Sequence, residues 1–317
     1  MKAVRFHEFG GPEVLRVDEV EKPQPGAGEV LIRVAVAGIN YADTMTRAGT
    51  YFTKPPLPHT PGFEAAGVIE AVGEGVSDRQ VGQRVTARLG GGGYAEYVVA
   101  KAAQVVPVPD GLDFGKATAI LVQGWTALGL LRNLREGQTV LIHAAAGGVG
   151  SLLLQLAKLK GARVIGTAST PEKLETVKSL GADSAVNYTE SDWTEQVLAA
   201  TEGKGVDLLI EMVGGEIGGQ NIRCLATGAT MIIYGSASAK DFQISARSLM
   251  SKNLTVKGYT LYIETPETLE SFTRELMSHL EAGRLRVIVQ EFPLAEATAA
   301  HRAMESRQTQ GKVVLTV

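Results

Sequence analysis

The feature that most constrains how this 317-residue chain can fold is the stretch 137–157, in which no Asp, Glu, Lys or Arg occurs. Gly147, Gly148 and Gly150 stand at its middle, and it also carries His143 and Gln155. A membrane helix needs about 20 consecutive predominantly apolar residues. Three glycines clustered mid-run argue instead for a strand, a tight turn and a helix. We expect a strand over Thr139–Ala144 and a helix over Val149–Lys160. That helix places Val149, Leu152, Leu153, Leu156 and Lys160 at i, i+3, i+4, i+7 and i+11, so its apolar part forms a stripe that packs on a sheet.

A glycine turn that leaves a strand and opens a helix is the context a dinucleotide-binding fingerprint requires. Within Ala146-Gly147-Gly148-Val149-Gly150, Gly147 and Gly148 allow the turn and bring backbone N–H groups near a pyrophosphate. Gly150 lets the helix approach the strand, and the helix N-terminus favours an anion. Dinucleotide sites that take NAD carry an acidic residue at the end of the second strand. Here the end of that strand reads Gly166-Thr167-Ala168-Ser169-Thr170, without Asp or Glu. Lys173 follows and can pair with a 2′-phosphate, while Ser169 and Thr170 can donate hydrogen bonds, so the expected cofactor is NADPH.

Beyond the turn, strand candidates (Ala162–Thr167, Ser184–Asn187, Val206–Met212, Ala229–Tyr234) alternate with helix candidates (Pro171–Leu180, Asp192–Thr201, Glu216–Leu225). That alternation implies a doubly wound parallel sheet. The first hundred residues differ: Glu29–Val36, Gly67–Val72, Gln83–Ala87 and Tyr94–Val99 read as short strands between turn signals, an antiparallel barrel-like pattern. Lys116–Leu131 reads as helical. After Val256 the chain returns to the first domain, with helices over Pro266–Ala282 and Leu294–Glu305 and strands over Val287–Glu291 and Lys312–Val317. The expected fold class is α/β, with a Rossmann domain over residues 119–257 inserted in a β-rich domain formed by 1–118 and 258–317.

With 31 Lys and Arg against 34 Asp and Glu the formal charge is −3, which offers nucleic acid no basic face. Cys224 is the only cysteine, so neither an internal disulfide nor a Cys-rich zinc site is expected. Charges interrupt the N-terminus at once, leaving no apolar signal-peptide core. These features point to a cytoplasmic chain without a membrane span.

The stretch Gly137-Gln138, Leu141, Ala145-Ala146-Gly147-Gly148, Gly150, Gln155 and Lys158 resembles the signature of zeta-crystallin-like quinone oxidoreductases, zinc-free members of the medium-chain dehydrogenase/reductase superfamily. The resemblance runs from Met1-Lys2-Ala3-Val4 through Gly38-Ile39-Asn40 and Pro61-Gly62-Phe63-Glu64 to Gln310-Gly311-Lys312. It implies that the β-rich domain is GroES-like, that NADPH reduces a quinone or an activated alkene, and that the protein is a homodimer. It places Lys173, Tyr188 and Arg307 near the 2′-phosphate, and Asn40, Gln123, Thr126 and Tyr234-Gly235-Ser236 near the nicotinamide. The chain departs from the pattern at Met45, where relatives often have tyrosine, leaving Tyr41 and Tyr51 as the substrate-facing tyrosines.

Zinc alcohol dehydrogenases resemble the chain too, but where they carry a Cys and the His of Gly-His-Glu, this sequence has Asn40 and its neighbours and Gly62-Phe63-Glu64. No metal site is therefore expected. Without a Lewis acid, an acceptor that is already electrophilic is favoured, because conjugation spreads the charge formed on reduction. Catalytic candidates are Asn40, as a hydrogen-bonding group, and Tyr51 and Tyr41, as hydrogen-bond or proton donors. Glu64 and His143 are read as buried structural residues, the latter within the first strand, and Cys224 as a core residue in a helix. An enoyl or 2-alkenal reductase and a non-catalytic NADPH-binding, crystallin-like protein are the alternatives.

Overall fold

In the computed structural model, which describes residues 1–317, two segments far apart in sequence form one unit and the chain between them forms another: Met1–Val122 with Val287–Val317, and Gln123–Arg286. The first unit opens with an antiparallel hairpin of β1 (Lys2–Arg5) and β2 (Arg16–Glu19). β3 (Glu29–Ile39) leads into α1 (Tyr41–Ala48), and β4 (Glu64–Val72) pairs back along β3. β5 (Arg84–Arg88), β6 (Tyr97–Lys101), β7 (Val105–Pro107) and α2 (Phe114–Thr118) follow. The expected helix over Lys116–Leu131 is broken: α2 is followed by a π-helical turn, Ile120–Gly124, and then by α3 (Trp125–Leu130).

In the second unit strands and helices alternate as β8 (Thr139–Ile142), α4 (Gly148–Leu159), β9 (Arg163–Ala168), α5 (Pro171–Ser179), β10 (Ser184–Asn187), α6 (Trp193–Ala200), β11 (Val206–Glu211), α7 (Gly215–Gln220), β12 (Leu225–Ile233), α8 (Ala246–Lys252), β13 (Thr255–Gly258) and α9 (Pro266–Glu281). The six strands form one parallel sheet in the order β10-β9-β8-β11-β12-β13. Its central strands read as continuous apolar runs because both faces are covered. Leu141, Ile165, Val206, Leu209 and Met231 are all buried in one cluster with Trp193.

The chain then returns to the first unit as β14 (Val289–Pro293), α10 (Ala297–Glu305) and β15 (Lys312–Thr316). The sheet there runs β14-β15-β3-β4-β5-β7, with β6 also on β3. All of its pairs are antiparallel except β14 with β15. Inward residues of these strands (Ile32, Ile69, Val85, Val98, Val313, Leu315) pack with Ala297 and Ala300 of α10.

Three further expectations are corrected. The return to the first unit comes at residue 287, not 258, because the segment between completes the second unit. Trp125 Nε1 donates to Thr273 Oγ1 of α9 at 2.9 Å, and a Cβ at Gly129 would fall 1.9 Å from the Tyr259 hydroxyl. Arg286 closes the unit, its N–H donating to Gln155 Oε1 at 2.8 Å. α4 buries more than a stripe: Leu154, Gln155 and Ala157 are also buried, since α3 packs on the helix as well as the sheet. Glu216–Leu225 is a short α7 followed by a 3-10 turn, Asn221–Cys224, so buried Cys224 is not in an α-helix.

In the first unit's core, His301 is fully buried, with Nδ1 3.3 Å from Arg47 Nη1 and Nε2 3.0 Å from the Tyr94 hydroxyl. The guanidinium can only donate, so Nε2 carries the imidazole's proton. Burial, then the Arg47 charge, push its pKa down to about 3. An unfolded histidine titrates near 6.5. His301 therefore contributes stability that is present above pH ~6.5 and drains away as the pH falls toward 3. In chemical denaturation series, the stability difference between wild type and His301→Asn should shrink on acidification from pH 6.5 by up to about 1.4 kcal/mol per pH unit. A difference that stays constant down to pH 4 would contradict a neutral buried imidazole.

Candidate functional site

The sheet order sets the first part of the site. From β8 the connections run one way to β9 and β10 and the other way to β11 and β12, so β8 and β11 flank a topological switch point. In parallel α/β sheets ligands bind at the carboxyl ends of the strands at such a point. The β8 exit carries the glycine turn. Ala144 takes a left-handed conformation (φ 50°), Ala145 N–H donates to Thr167 O at 2.9 Å, and Gly147 N–H returns to Ala144 O at 2.8 Å. His143 stands just beyond the end of β8 rather than inside it. It is fully buried, with Nδ1 2.8 Å from Thr167 Oγ1 and Nε2 2.7 Å from Asn221 Oδ1.

Gly147 caps α4 and Gly148 opens it. A Cβ at Gly148 would fall 2.4 Å from Gln123 Nε2, and one at Gly150 would fall 2.3 Å from Ala144 O. Gly148 thus makes room for the Gln123 carboxamide, and Gly150 lets the first turn of α4 rest on the backbone it has just left. Gln123 itself is buried, and its Oε1 has no hydrogen-bond partner within the protein. An unpaired buried carbonyl costs free energy unless a donor meets it, so the turn presents an acceptor beside free helix-terminal N–H groups. Ala146 is buried, Val149 half-buried, and Thr126 lies one turn of α3 beyond Gln123.

The other expected nucleotide residues of the second unit lie on the same edge of its sheet. Ser169 and Thr170 leave β9 half-buried, and Thr170 Oγ1 caps α5 by accepting from Lys173 N–H at 3.4 Å. Lys173 is half-buried in that first turn. Tyr188 follows β10, and its ring packs edge-on to His143 at 6.1 Å. Gly235 and Ser236 follow β12, with Ser236 Oγ donating to Lys240 O at 3.3 Å. Facing them, the exit of β11 is organised by a residue the sequence did not flag. Buried Glu211 accepts from Val213 N–H at 2.5 Å and Gly214 N–H at 2.6 Å, and also from Asn221 Nδ2. The available signal was a carboxylate directly after the apolar run Leu208-Leu209-Ile210 at the end of the strand Val206–Glu211.

In the first unit Asn40 ends β3 and caps α1. Its N–H donates to Asp43 Oδ2 at 2.7 Å, Asp43 Oδ1 accepts from Gly62 N–H at 3.0 Å, and Asn40 Nδ2 donates to Glu64 Oε1 at 2.8 Å. Burial pushes the Asp43 carboxyl up to about 7 against the pull of those N–H groups and of Lys312. Glu64 is fully buried, as the sequence implied, and pairs with Lys312 of β15. Tyr41 opens α1 half-buried; burial, then the Glu305 charge, raise its hydroxyl above the usual phenol value, so it stays protonated. The Tyr51 ring sits 5.0 Å from that of Phe52 and 5.9 Å from that of Phe63, and Phe52 is 84% exposed. Arg307 lies in an exposed left-handed turn after α10 (φ 58°). The structure thus groups Asn40, Tyr41 and Tyr51 with Arg307 in the first unit, and all the remaining candidates in the second.

No group of three or more His, Cys, Asp or Glu side chains is placed to hold a metal ion. Phe63 supplies no donor, Glu64 is engaged by Lys312 and Asn40, and burial pushes the Cys224 thiol up to about 12. The side chains present do not fit a zinc centre. No helix is long and apolar enough to cross a membrane.

The close approach at Gly150 yields a prediction. Gly150→Ala drives a methyl into backbone and should cost about 1–3 kcal/mol in stability, while Gly147→Ala, which meets only Ala144 O at 3.2 Å, should cost less. Thermal unfolding of the two variants tests this; equal losses would mean that the contact at Gly150 is not what positions α4.

Residues 26–110 match the family described as alcohol dehydrogenase GroES-like domain, and residues 148–278 the one described as zinc-binding dehydrogenase. The chain is 39% identical over 322 residues to quinone oxidoreductase of Sus scrofa, covering 99% of this chain and 97% of that protein. It is 36% identical over 333 residues to 2-haloacrylate reductase of Burkholderia sp, covering 99% and 98%. The crystal structure of Escherichia coli quinone oxidoreductase complexed with NADPH superposes with a TM-score of 0.94 at 34% identity, covering 100% of both chains. With similarity sustained from end to end, the chain belongs to the quinone oxidoreductase family.

Proposed function

We propose that this protein is an NADPH-dependent quinone oxidoreductase that reduces a quinone or a conjugated carbonyl compound. The observation that carries the reading is the β8–α4 turn, where Gly148 clears space for Gln123, Gly150 seats the helix, and the buried Gln123 Oε1 awaits a donor. A dinucleotide fits these residues: α4 offers N-terminal N–H groups to a pyrophosphate, and Gln123 Oε1 accepts from an amide N–H. When bound, NADPH supplies the hydride that reduces the acceptor.

The chain's own residues bind, orient and protonate. Ser169 and Lys173 follow a second strand that ends without Asp or Glu, and with Tyr188 and Arg307 we assign them to the 2′-phosphate. Ala146, Gly147, Gly148, Val149 and Gly150 hold the pyrophosphate; Gln123, Thr126, Gly235, Ser236 and Asn40 orient the nicotinamide. Tyr41 and Tyr51 donate a hydrogen bond or proton to the acceptor oxygen. Tyr41 suits this role because its burial keeps the phenol protonated. A second reading, reduction of a conjugated alkene, draws support from the similarity to 2-haloacrylate reductase.

We also place the protein in the cytoplasm as a homodimer. Its single thiol is buried and unpaired, as suits a reducing compartment. β13 is a sheet edge, and Met250, Tyr262 and Ile263 in the same unit are 76%, 60% and 63% exposed, a combination that natural proteins usually cover.

The test follows oxidation of NADPH and NADH with a quinone, an α,β-unsaturated ketone and a 2-haloacrylate. Turnover with the quinone is expected, with NADPH preferred. Preference for the alkenes would move the assignment to the second reading, and binding without turnover would overturn both. Lys173→Ala should weaken NADPH about 10- to 100-fold, the loss of one charge-assisted hydrogen bond, and NADH hardly at all. Equal losses with both nucleotides would remove the phosphate role.

A further inference from the structure

Beneath Asn40 lies a buried ion pair to which the proposed chemistry gives no part. Glu64 on β4 and Lys312 on β15 are 0% and 1% exposed and lie on the two strands that flank the end of β3. They reach each other across Gly38, where a Cβ would fall 2.6 Å from Glu64 Oε1 and 2.8 Å from Lys312 Nζ. Lys312 Nζ also donates to Ile39 O at 3.1 Å, and Glu64 Oε2 accepts from Val122 N–H at 3.1 Å. The remaining partner of Glu64 is Asn40, whose Nδ2 donates to Oε1 at 2.8 Å.

A carboxylate paired with an ammonium is acceptor-only, so whichever end of the Asn40 carboxamide faces it must be the N–H end. The amide is planar, so its oxygen turns away from Glu64 toward the first turn of α1, where the Asn40 side chain accepts from Asp43 N–H in a capping box; a carbonyl oxygen has a second lone pair that can meet another donor. We infer that the Glu64–Lys312 pair locks the Asn40 carboxamide in one of its two orientations, making both charged side chains positioning residues that present Asn40 Oδ1 as a hydrogen-bond acceptor at the site. This deepens the proposed function and rests on Asn40 acting there. It also narrows the role of Asn40: the group it meets carries an N–H or O–H. A quinone has neither, so that donor belongs to the reduced nucleotide or to the hydroquinone product.

The test exchanges donor and acceptor across the contact. In Asn40→Asp/Glu64→Gln the side-chain amide of residue 64 donates to the carboxylate of residue 40. An oxygen still faces outward, and the net charge of the cluster is unchanged. In NADPH–quinone turnover by the full-length protein, Asn40→Ala and Asn40→Asp should each lower kcat/KM by about tenfold or more, the loss of one hydrogen bond at a site. The exchanged pair should recover to within about threefold of wild type. An exchanged pair that melts like wild type yet stays as slow as Asn40→Asp would overturn the inference, since Asn40 would then act through its N–H. If the exchanged pair does not fold, the cycle of Glu64→Gln with Asn40→Ala decides. Because Glu64 acts through Asn40, Glu64→Gln should slow the wild type but add little to Asn40→Ala; independent, multiplying losses would overturn the coupling. Asn40→Ala with wild-type kcat/KM would instead refute the role of Asn40 in the proposed function. NADPH affinity measured without quinone separates the two donors, falling in Asn40→Ala only if the nucleotide provides the N–H or O–H.

Discussion

The contact on which the second unit depends is the seating of α4 on the turn that precedes it. Gly150 has no side chain, so the helix starts against Ala144 O, where any Cβ would be 2.3 Å away. Helix and strand ends meet this closely only when the residue between them is small. The contact aims the N-terminus of α4 past the carboxyl end of β8. It also brings Gly148 against Gln123, so a residue of the π-helical turn reaches the same place. π-helical turns within helices recur at functional sites, and this one departs from a continuous helix at the point where Gln123 is needed.

Each unit also buries a glutamate at a strand terminus, and each glutamate engages an asparagine. Glu64 opens β4 and receives Asn40 Nδ2, while Glu211 closes β11 and receives Asn221 Nδ2. The counter-groups differ. Glu64 has the Lys312 ammonium, whereas Glu211 has backbone N–H groups of the turn after β11, with His143 Nε2 3.6 Å away. Removing one member of a buried pair strands a charge and costs about 3–5 kcal/mol. In the first unit that cost is tied to the start of α1 beside Asn40; in the second, Glu211 fixes the turn through Gly214 by hydrogen bonds to its N–H groups.

Much of this was legible because it is local. The alternation of strand and helix from Thr139 to Leu225 follows from apolar runs, glycines and caps such as Thr170-Pro171, whose effects act within a few residues. The glycine turn could be read for the same reason, since Gly147 and Gly150 answer the backbone of Ala144 a few residues before them, whereas the Gln123 side chain that faces Gly148 comes from a different helix. Lys312 was not legible as a partner of Glu64, although a lysine opening the apolar strand Lys312–Thr316 marks an oddity. The two are 248 residues apart and meet only when β15 and β4 take opposite sides of β3. The burial of Gln155 was hidden likewise, because its carboxamide is covered by the chain near Arg286, 131 residues away.

The amino-acid sequence alone determined the class of fold, the nucleotide turn and the family, since periodicity, glycine placement and short motifs act over a few turns of chain. Tertiary structure alone decided where the first unit resumes, because that depends on the packing of Trp125 and Tyr259 rather than on any boundary signal. It also decided which end of Asn40 is held and which is offered, because hydrogen-bond polarity in a buried cluster is set by the charge of a neighbour brought from a distant strand.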